Sequence, residues 1–355
     1  MGLFEKDRDL TQPLDRVELM VDASALGERV EDVSIRLDSF LARHLKWRSR
    51  SSLKELVREG WVQVDASTPE RPQGTGELKR ETRSGRRLRH GSRVVVIIPP
   101  ESRQAPPTDV DTDLEILYED EACVAVMKPA PLAVHPTVRY LNDSLLLRLH
   151  AMYSEEMKGG GVLPRLCHRL DRETSGVLLV AKGAAEHAEL SRQFEDREVE
   201  KLYLAVVHGA PTTGSGTCDH PIGSSRTSLI RLKMACIADG QESRTDWRVL
   251  ERAGAFTLLE CELFTGRQHQ IRVHLAGLGH PIVGDKLYGE DEEIFQRAVD
   301  DELTEEDRER LFIDRQALHH HRLSFTSPAT GERVTVESPL PRELRALLDL
   351  QGEAG

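Results

Sequence analysis

His168-Arg169-Leu170-Asp171-Arg172-Glu173 places five polar or charged side chains in six residues, Thr174-Ser175-Gly176 follow, and Val177 to Ala181 run on unbroken and apolar to Lys182-Gly183. A short apolar, β-rich run between turn formers reads as a buried strand, so the chain must build a sheet around it. The polar segment then becomes a loop at the mouth of that strand, where function concentrates. Asp171 is its foremost candidate, because a carboxylate flanked by Arg169 and Arg172 stays ionised and can serve as nucleophile or base. The plainer reading of this stretch alone is an Asp that caps a turn or pairs with a neighbouring Arg.

A chain of 355 residues is too long for one ordinary core and suggests two domains plus tails. No apolar run approaches the roughly 18 residues of a membrane span, and acidic residues break up the first residues where a secretory signal would be apolar. A cytoplasmic protein with no membrane partner is expected. Cys123, Cys167, Cys218, Cys236 and Cys261 are widely spaced and never form a C-x-x-C pair, so they are expected to be reduced structural thiols, neither disulfides nor zinc ligands.

The net charge of −12 argues against nucleic acid as a partner until its distribution is considered. Between Arg36 and Ile98 fifteen Lys and Arg face seven acids, a surplus of eight that leaves −20 on the rest. A basic binding module joined to an acidic body is implied.

Residues 1–33 lack sustained periodicity and are expected to be an extended or disordered lead-in. Leu37, Phe40, Leu41 and Leu45 have helical spacing; Leu53, Leu56 and Val57 repeat it after Ser49-Arg50-Ser51-Ser52, where a serine can cap, and Gly60 stops the second helix. Strands are expected over Trp61–Asp65 and Val94–Ile98. This order over 34–100 resembles the small α/β RNA-binding domain first named in ribosomal protein S four. It departs from that family at Asp65, where an Asn-Gly turn is common, and in a long basic insertion over 66–90. The resemblance and the charge make Arg36, Arg50, Lys54, Arg86 and Arg87 candidate RNA contacts, with Lys79-Arg80 and Arg89 beside them. Residues 101–112, with Pro106-Pro107, read as a linker.

Residues 113–350 alternate strands with occasional helices, which implies an α+β fold: a central, mainly antiparallel sheet with flanking helices. Thr265 is expected to cap a helix with Ile271, Leu275 and Leu278 inward and Gln268 and Arg272 on another face. Residues 290–311 are strongly acidic and read as an exposed helical insertion. His319-His320-His321 invites a metal reading, but consecutive strand residues cannot converge on one ion, so no metal is expected.

Together these segments resemble the RluA-type pseudouridine synthases. The matching elements are Glu119-Asp120 through Lys128-Pro129, His135-Pro136, His168 to Asp171 with Thr174-Ser175-Gly176, Lys201 and Tyr203 with Gly209, Thr265 to His274, and Gly284-Asp285 with Tyr288-Gly289. Ala130-Pro131 departs from the family, which usually has Gly there. The resemblance implies an isomerase that detaches uracil from its ribose and rejoins it through carbon 5. Asp171 is then the essential carboxylate, acting on the sugar or as a base at the 2′ position; Arg272 holds it ionised and Tyr203 stacks on the uracil. Arg169 is implied as the wedge that fills the gap left by a flipped base, and His168, Lys128, Arg267, His269 and Gln270 as substrate-binding residues. No cofactor is implied, and no Gly-rich nucleotide loop is present. The implied partner is RNA, with large-subunit (23S) ribosomal RNA favoured and tRNA possible. The alternative outside enzymology is a non-catalytic RNA-binding ribosome assembly factor.

Overall fold

Leu37, Phe40 and Leu41 form the buried face of the helix Leu37–His44, and Leu53, Leu56 and Val57 that of Arg50–Glu59. Ser49 caps the second helix by accepting from the Ser52 N–H at 3.2 Å, and Gly60 ends it in the left-handed region at φ 80°, where glycine is unstrained. Both faces share a core with Val62, Val64, Val94 and Val96. These valines belong to an antiparallel sheet ordered Arg16–Met20, Arg93–Ile97, Val62–Asp65, Lys79–Glu81. The computed structural model describes residues 9–11, 15–26, 29–45, 49–100, 110–136, 143–228, 230, 232–289 and 291–352, and the chain passes from the first of its two compact units to the second between Val110 and Asp111, while Pro136 groups with the first.

Two expectations for the first unit are corrected. Arg16–Met20 is an edge strand and not a lead-in: it pairs with Arg93–Ile97 along its whole length, and Val17 and Leu19 alternate inward. Five residues of period two are too brief to stand out among charges. The basic insertion is also folded. Asp65 accepts the Thr75 and Gly76 N–H groups at 2.9 and 2.8 Å, and buried Glu81 accepts the Arg83 N–H and the Arg86 guanidinium at 2.9 and 2.6 Å. The unusual Asp65 is thus the anchor of the insertion.

The second unit is built on a sheet with strand order Ser215–Cys218, Thr245–Ala253, Phe256–Leu263, Glu200–His208, Leu318–Thr326, Ser175–Ala181, Cys123–Lys128, Ile116–Glu119. All these pairings are antiparallel except that of Ser175–Ala181 with Leu318–Thr326. Every residue of Ser175–Ala181 is buried. Leu178 and Val180 enter the core under the helix Arg342–Gly352; Val177, Leu179 and Ala181 enter the opposite core with Leu190 of the helix Ala184–Glu195. That period-two division explains why the run is apolar at every position.

The acidic insertion forms two short helices, Glu293–Val299 and Glu305–Leu311, joined by Arg297, which donates to both Asp307 oxygens at 2.8 and 2.7 Å; Glu290 lies outside the described residues. The five cysteines are free. Among the described residues no helix is long and apolar enough to cross a membrane, and no group of three or more His, Cys, Asp or Glu could hold a metal ion.

Candidate active site

The loop carrying Asp171 is clamped from three sides. Lys128, fully buried, donates from Nζ to the carbonyls of Pro129, Leu132 and Arg172 at 2.8, 2.9 and 3.1 Å. Burial pushes this amine down to about 7, against the pull of Asp171. Lys286 holds Glu173 at 3.0 Å, and the Gln316 amide donates to the Thr174 hydroxyl. On the strand side Ser175 Oγ meets His319 Nδ1 at 2.9 Å.

The cation that holds Asp171 comes from 101 residues away. Arg272 donates from Nη1 to Asp171 Oδ2 at 2.8 Å, and from Nε and Nη2 to the two Asp285 oxygens at 2.7 and 2.9 Å. Asp285 also accepts the Leu287 and Tyr288 N–H groups, which satisfies its buried carboxylate. Burial alone would raise the Asp171 carboxyl, but Arg272 and then His269 outweigh it and hold it below the usual carboxylate value. Its side chain is 23% exposed while that of Arg272 is 9% and that of Asp285 0%. Asp171 is therefore the member of this chain of charges that a ligand can reach.

His269 stands over the other oxygen, with Nε2 3.9 Å from Asp171 Oδ1. It occupies the left-handed region at φ 58°, a strained conformation for a residue with a side chain. The Tyr288 hydroxyl accepts the Met234 N–H at 2.9 Å and lies 2.8 Å from His269 Nδ1. Its own proton then goes to Nδ1, and the hydrogen-bond network assigns the imidazole proton to Nε2, facing Asp171. Burial drives the ring's pKa down to about 4 despite Asp171, so the donor is a neutral imidazole at neutral pH.

Tyr203, Arg169 and Arg267 complete the lining of a small cavity of about 70 Å³ over Asp171. A larger cavity of about 370 Å³ lies against the insertion helices and Phe312. The smaller one is the candidate site, because the charged groups converge there.

Residues 122–277 match the family described as RNA pseudouridylate synthase. The chain is 35% identical to "Uncharacterized RNA pseudouridine synthase YlyB" of Bacillus subtilis (strain 168), covering 90% of this chain and 95% of that protein. It is 37% identical to "Ribosomal large subunit pseudouridine synthase D" of Nitrosomonas europaea over 92% of this chain and 90% of that one. The chain belongs to the RNA pseudouridine synthases. The solved structure "Human RNA Pseudouridylate Synthase Domain Containing 4" has 26% identity and a TM-score of 0.52, covering 66% of this chain and 93% of that one.

This pseudouridine synthase is an isomerase, and several residues expected at its site lie elsewhere. Arg169 and Arg172 do not pair with Asp171: Arg169 is exposed and Arg172 donates to Glu173 at 2.9 Å. Charges adjacent in sequence point apart because the loop turns between them. His168 accepts the Leu179 N–H at 3.0 Å and packs against Phe194 and His320, behind the site. Lys128 is a loop clasp with no surface for a substrate. Gln270 is also buried; its amide oxygen accepts from Thr265 and the Arg267 N–H while its nitrogen serves Arg244 and Thr245. Thr265 thus fixes a loop, and the helix starts at Gln270 and ends at Gly277 with Leu278 exposed.

In the first unit Arg36 is paired with Asp38 and Arg86 with Glu81, whereas Arg50, Lys54 and Arg87 present exposed side chains. The grip of Asp285 on Arg272 is not legible in the sequence, where only the Gly284-Asp285 motif marks the residue.

Proposed function

We propose that this pseudouridine synthase modifies uridine in large-subunit ribosomal RNA, with Asp171 acting on the ribose. The observation that carries the site assignment is an ionised carboxylate with one oxygen held by Arg272 and the other turned to a cavity shared with Tyr203. Ribose chemistry at N1 needs an anion poised before the substrate arrives, and a fixed ion pair supplies one without reorganisation. Tyr203 stacks on the uracil, and burial followed by the nearby Asp171 raises its pKa, so it works as a neutral phenol. The His269 Nε2–H and Arg267 serve as donors to the displaced base. A uridine within folded RNA must be unstacked to reach this depth, at a few kcal/mol. Arg169, exposed at the cavity rim, fills the gap with its planar guanidinium.

The ribosomal substrate is supported by the names of relatives such as the Nitrosomonas europaea protein and by the basic first unit. Arg50, Lys54 and Arg87 there give an exposed surface for phosphates, S-four-like in order of elements. A cytoplasmic location follows from that substrate.

The test is tritium release from unmodified large-subunit rRNA and from tRNA, each labelled at carbon 5 of uridine. Release from rRNA that Asp171→Asn lowers by about 10⁴-fold or more supports the reading. Release from tRNA alone moves the substrate, and an Asp171→Asn variant as fast as wild type removes the carboxylate from the mechanism.

A further inference from the structure

We propose that His320 is a positioning residue of this reaction, a second ring stacked under Tyr203 that fixes the plane on which the uracil is met. The role rests on the proposed part of Tyr203 and adds a residue from the far end of the chain.

The two rings are 4.3 Å apart between centroids and inclined by 13°, a stack in which His320 covers one face of Tyr203. His320 is fully buried, and its Nδ1 lies 2.6 Å from the Val177 carbonyl, which can only accept. That bond places the ring's proton on Nδ1 and pins the ring about its second torsion. Nε2 is left buried without a hydrogen-bond partner among the described residues. A buried polar atom with no partner destabilises the fold, so an imidazole held beside a substrate-facing ring calls for a reason other than packing. His168 also meets His320 in an edge contact, with 5.6 Å between centroids and an interplanar angle of 89°.

The backbone is adapted to this stack. Leu202 pairs with Arg322 but Tyr203 pairs with His320, a bulge that skips His321 and brings the two rings opposite each other. On the other edge His320 lies beside Gly176 in the parallel pairing. Gly176 has φ +117°, and a Cβ there would lie 2.2 Å from the His320 carbonyl oxygen. The glycine of the Thr174-Ser175-Gly176 motif thus admits the His320 peptide five residues after Asp171. One register ties the carboxylate loop to the stack.

The experiment compares His320→Ala, His320→Asn and His320→Phe under single-turnover conditions at saturating tritiated large-subunit rRNA. RNA affinity, melting temperature and the Tyr203 ring-proton shift of ¹³C-tyrosine-labelled protein, assigned with Tyr203→Phe, are measured beside it. Asn keeps a donor for Val177 but no ring; Phe keeps the ring but no donor. Ala and Asn should slow tritium release about 10- to 100-fold with RNA affinity within about twofold, and Phe should return to within about threefold of wild type. The Tyr203 shift should move downfield in Ala and Asn and stay in Phe, with or without RNA. An Asn variant as fast as wild type, or a folded Phe variant as slow as Ala, overturns the role. A wild type that shows the stacked shift but releases no tritium from any RNA removes the functional reading and this role with it. An active wild type with an unimpaired, folded Ala variant removes this role alone.

Discussion

In the first unit Arg50 and Lys54 stand on a helix with their charges in water; in the second Arg272 is 9% exposed, with three guanidinium nitrogens bound to two carboxylates. The contrast separates two uses of a cation. An exposed Arg or Lys exchanges counterions for phosphates, so its contribution fades with salt and tolerates displacement. A buried Arg is a fixed part: water does not screen it, and its partners sit in one geometry. Arg86 lies between these extremes, since its half-buried guanidinium is held by the buried Glu81 carboxylate inside the basic insertion.

The sharpest test of the contrast is Arg272→Leu. It strands Asp171 and Asp285 as buried unpaired carboxylates, so the second unit should lose about 3–5 kcal/mol in denaturant unfolding and all detectable activity. An Arg50→Leu variant should leave the melting temperature unchanged; equal losses at the two positions would break the comparison.

Acid should find the same asymmetry. Burial holds His168 at about 3 and His269 and His319 at about 4, below the roughly 6.5 of an unfolded imidazole. Between those values the unfolded chain binds protons that the folded one refuses, so the stability these rings contribute is complete above about pH 6.5 and falls as pH drops toward 4. Each ring contributes about 1.4 kcal/mol per pH unit in that window. Melting of the second unit at pH 7.5 and 5.0 checks this; an unchanged midpoint would mean these rings are open to protons when folded.

Glu81→Gln should destabilise the first unit by about 1–3 kcal/mol, because the Arg86 guanidinium loses its anion and the Arg83 N–H a charged acceptor. Hydrogen exchange over residues 79–89 reads the effect, and unchanged protection there would show that the insertion folds without its anchor. The smallest effect on stability belongs to Arg50→Gln with Lys54→Gln. Their loss should leave melting unchanged and flatten the salt dependence of RNA binding by about 0.7–0.9 per phosphate contact removed. An unaltered slope would place the RNA surface elsewhere.

Local patterns carried much of this protein in its sequence. The buried strand after Asp171, the Ser49 cap and the Gly60 stop all follow from a few adjacent residues, because hydrogen bonds within one turn and side-chain periodicity are short-range. The motif order likewise marked Asp171, Arg272 and Tyr203. What adjacency suggested about charge failed: Arg169 and Arg172 flank Asp171 in sequence, yet Arg272 holds it in the fold. Lys128, Gln270 and His168 carried motif positions but hold up the loops and strand around the cavity. Only tertiary structure decided these, along with the bidentate grip of Asp285 and the stack of His320 on Tyr203. Strand register and loop closure set which distant residues meet, and a one-residue bulge re-aims a side chain. No local pattern in a chain records that choice.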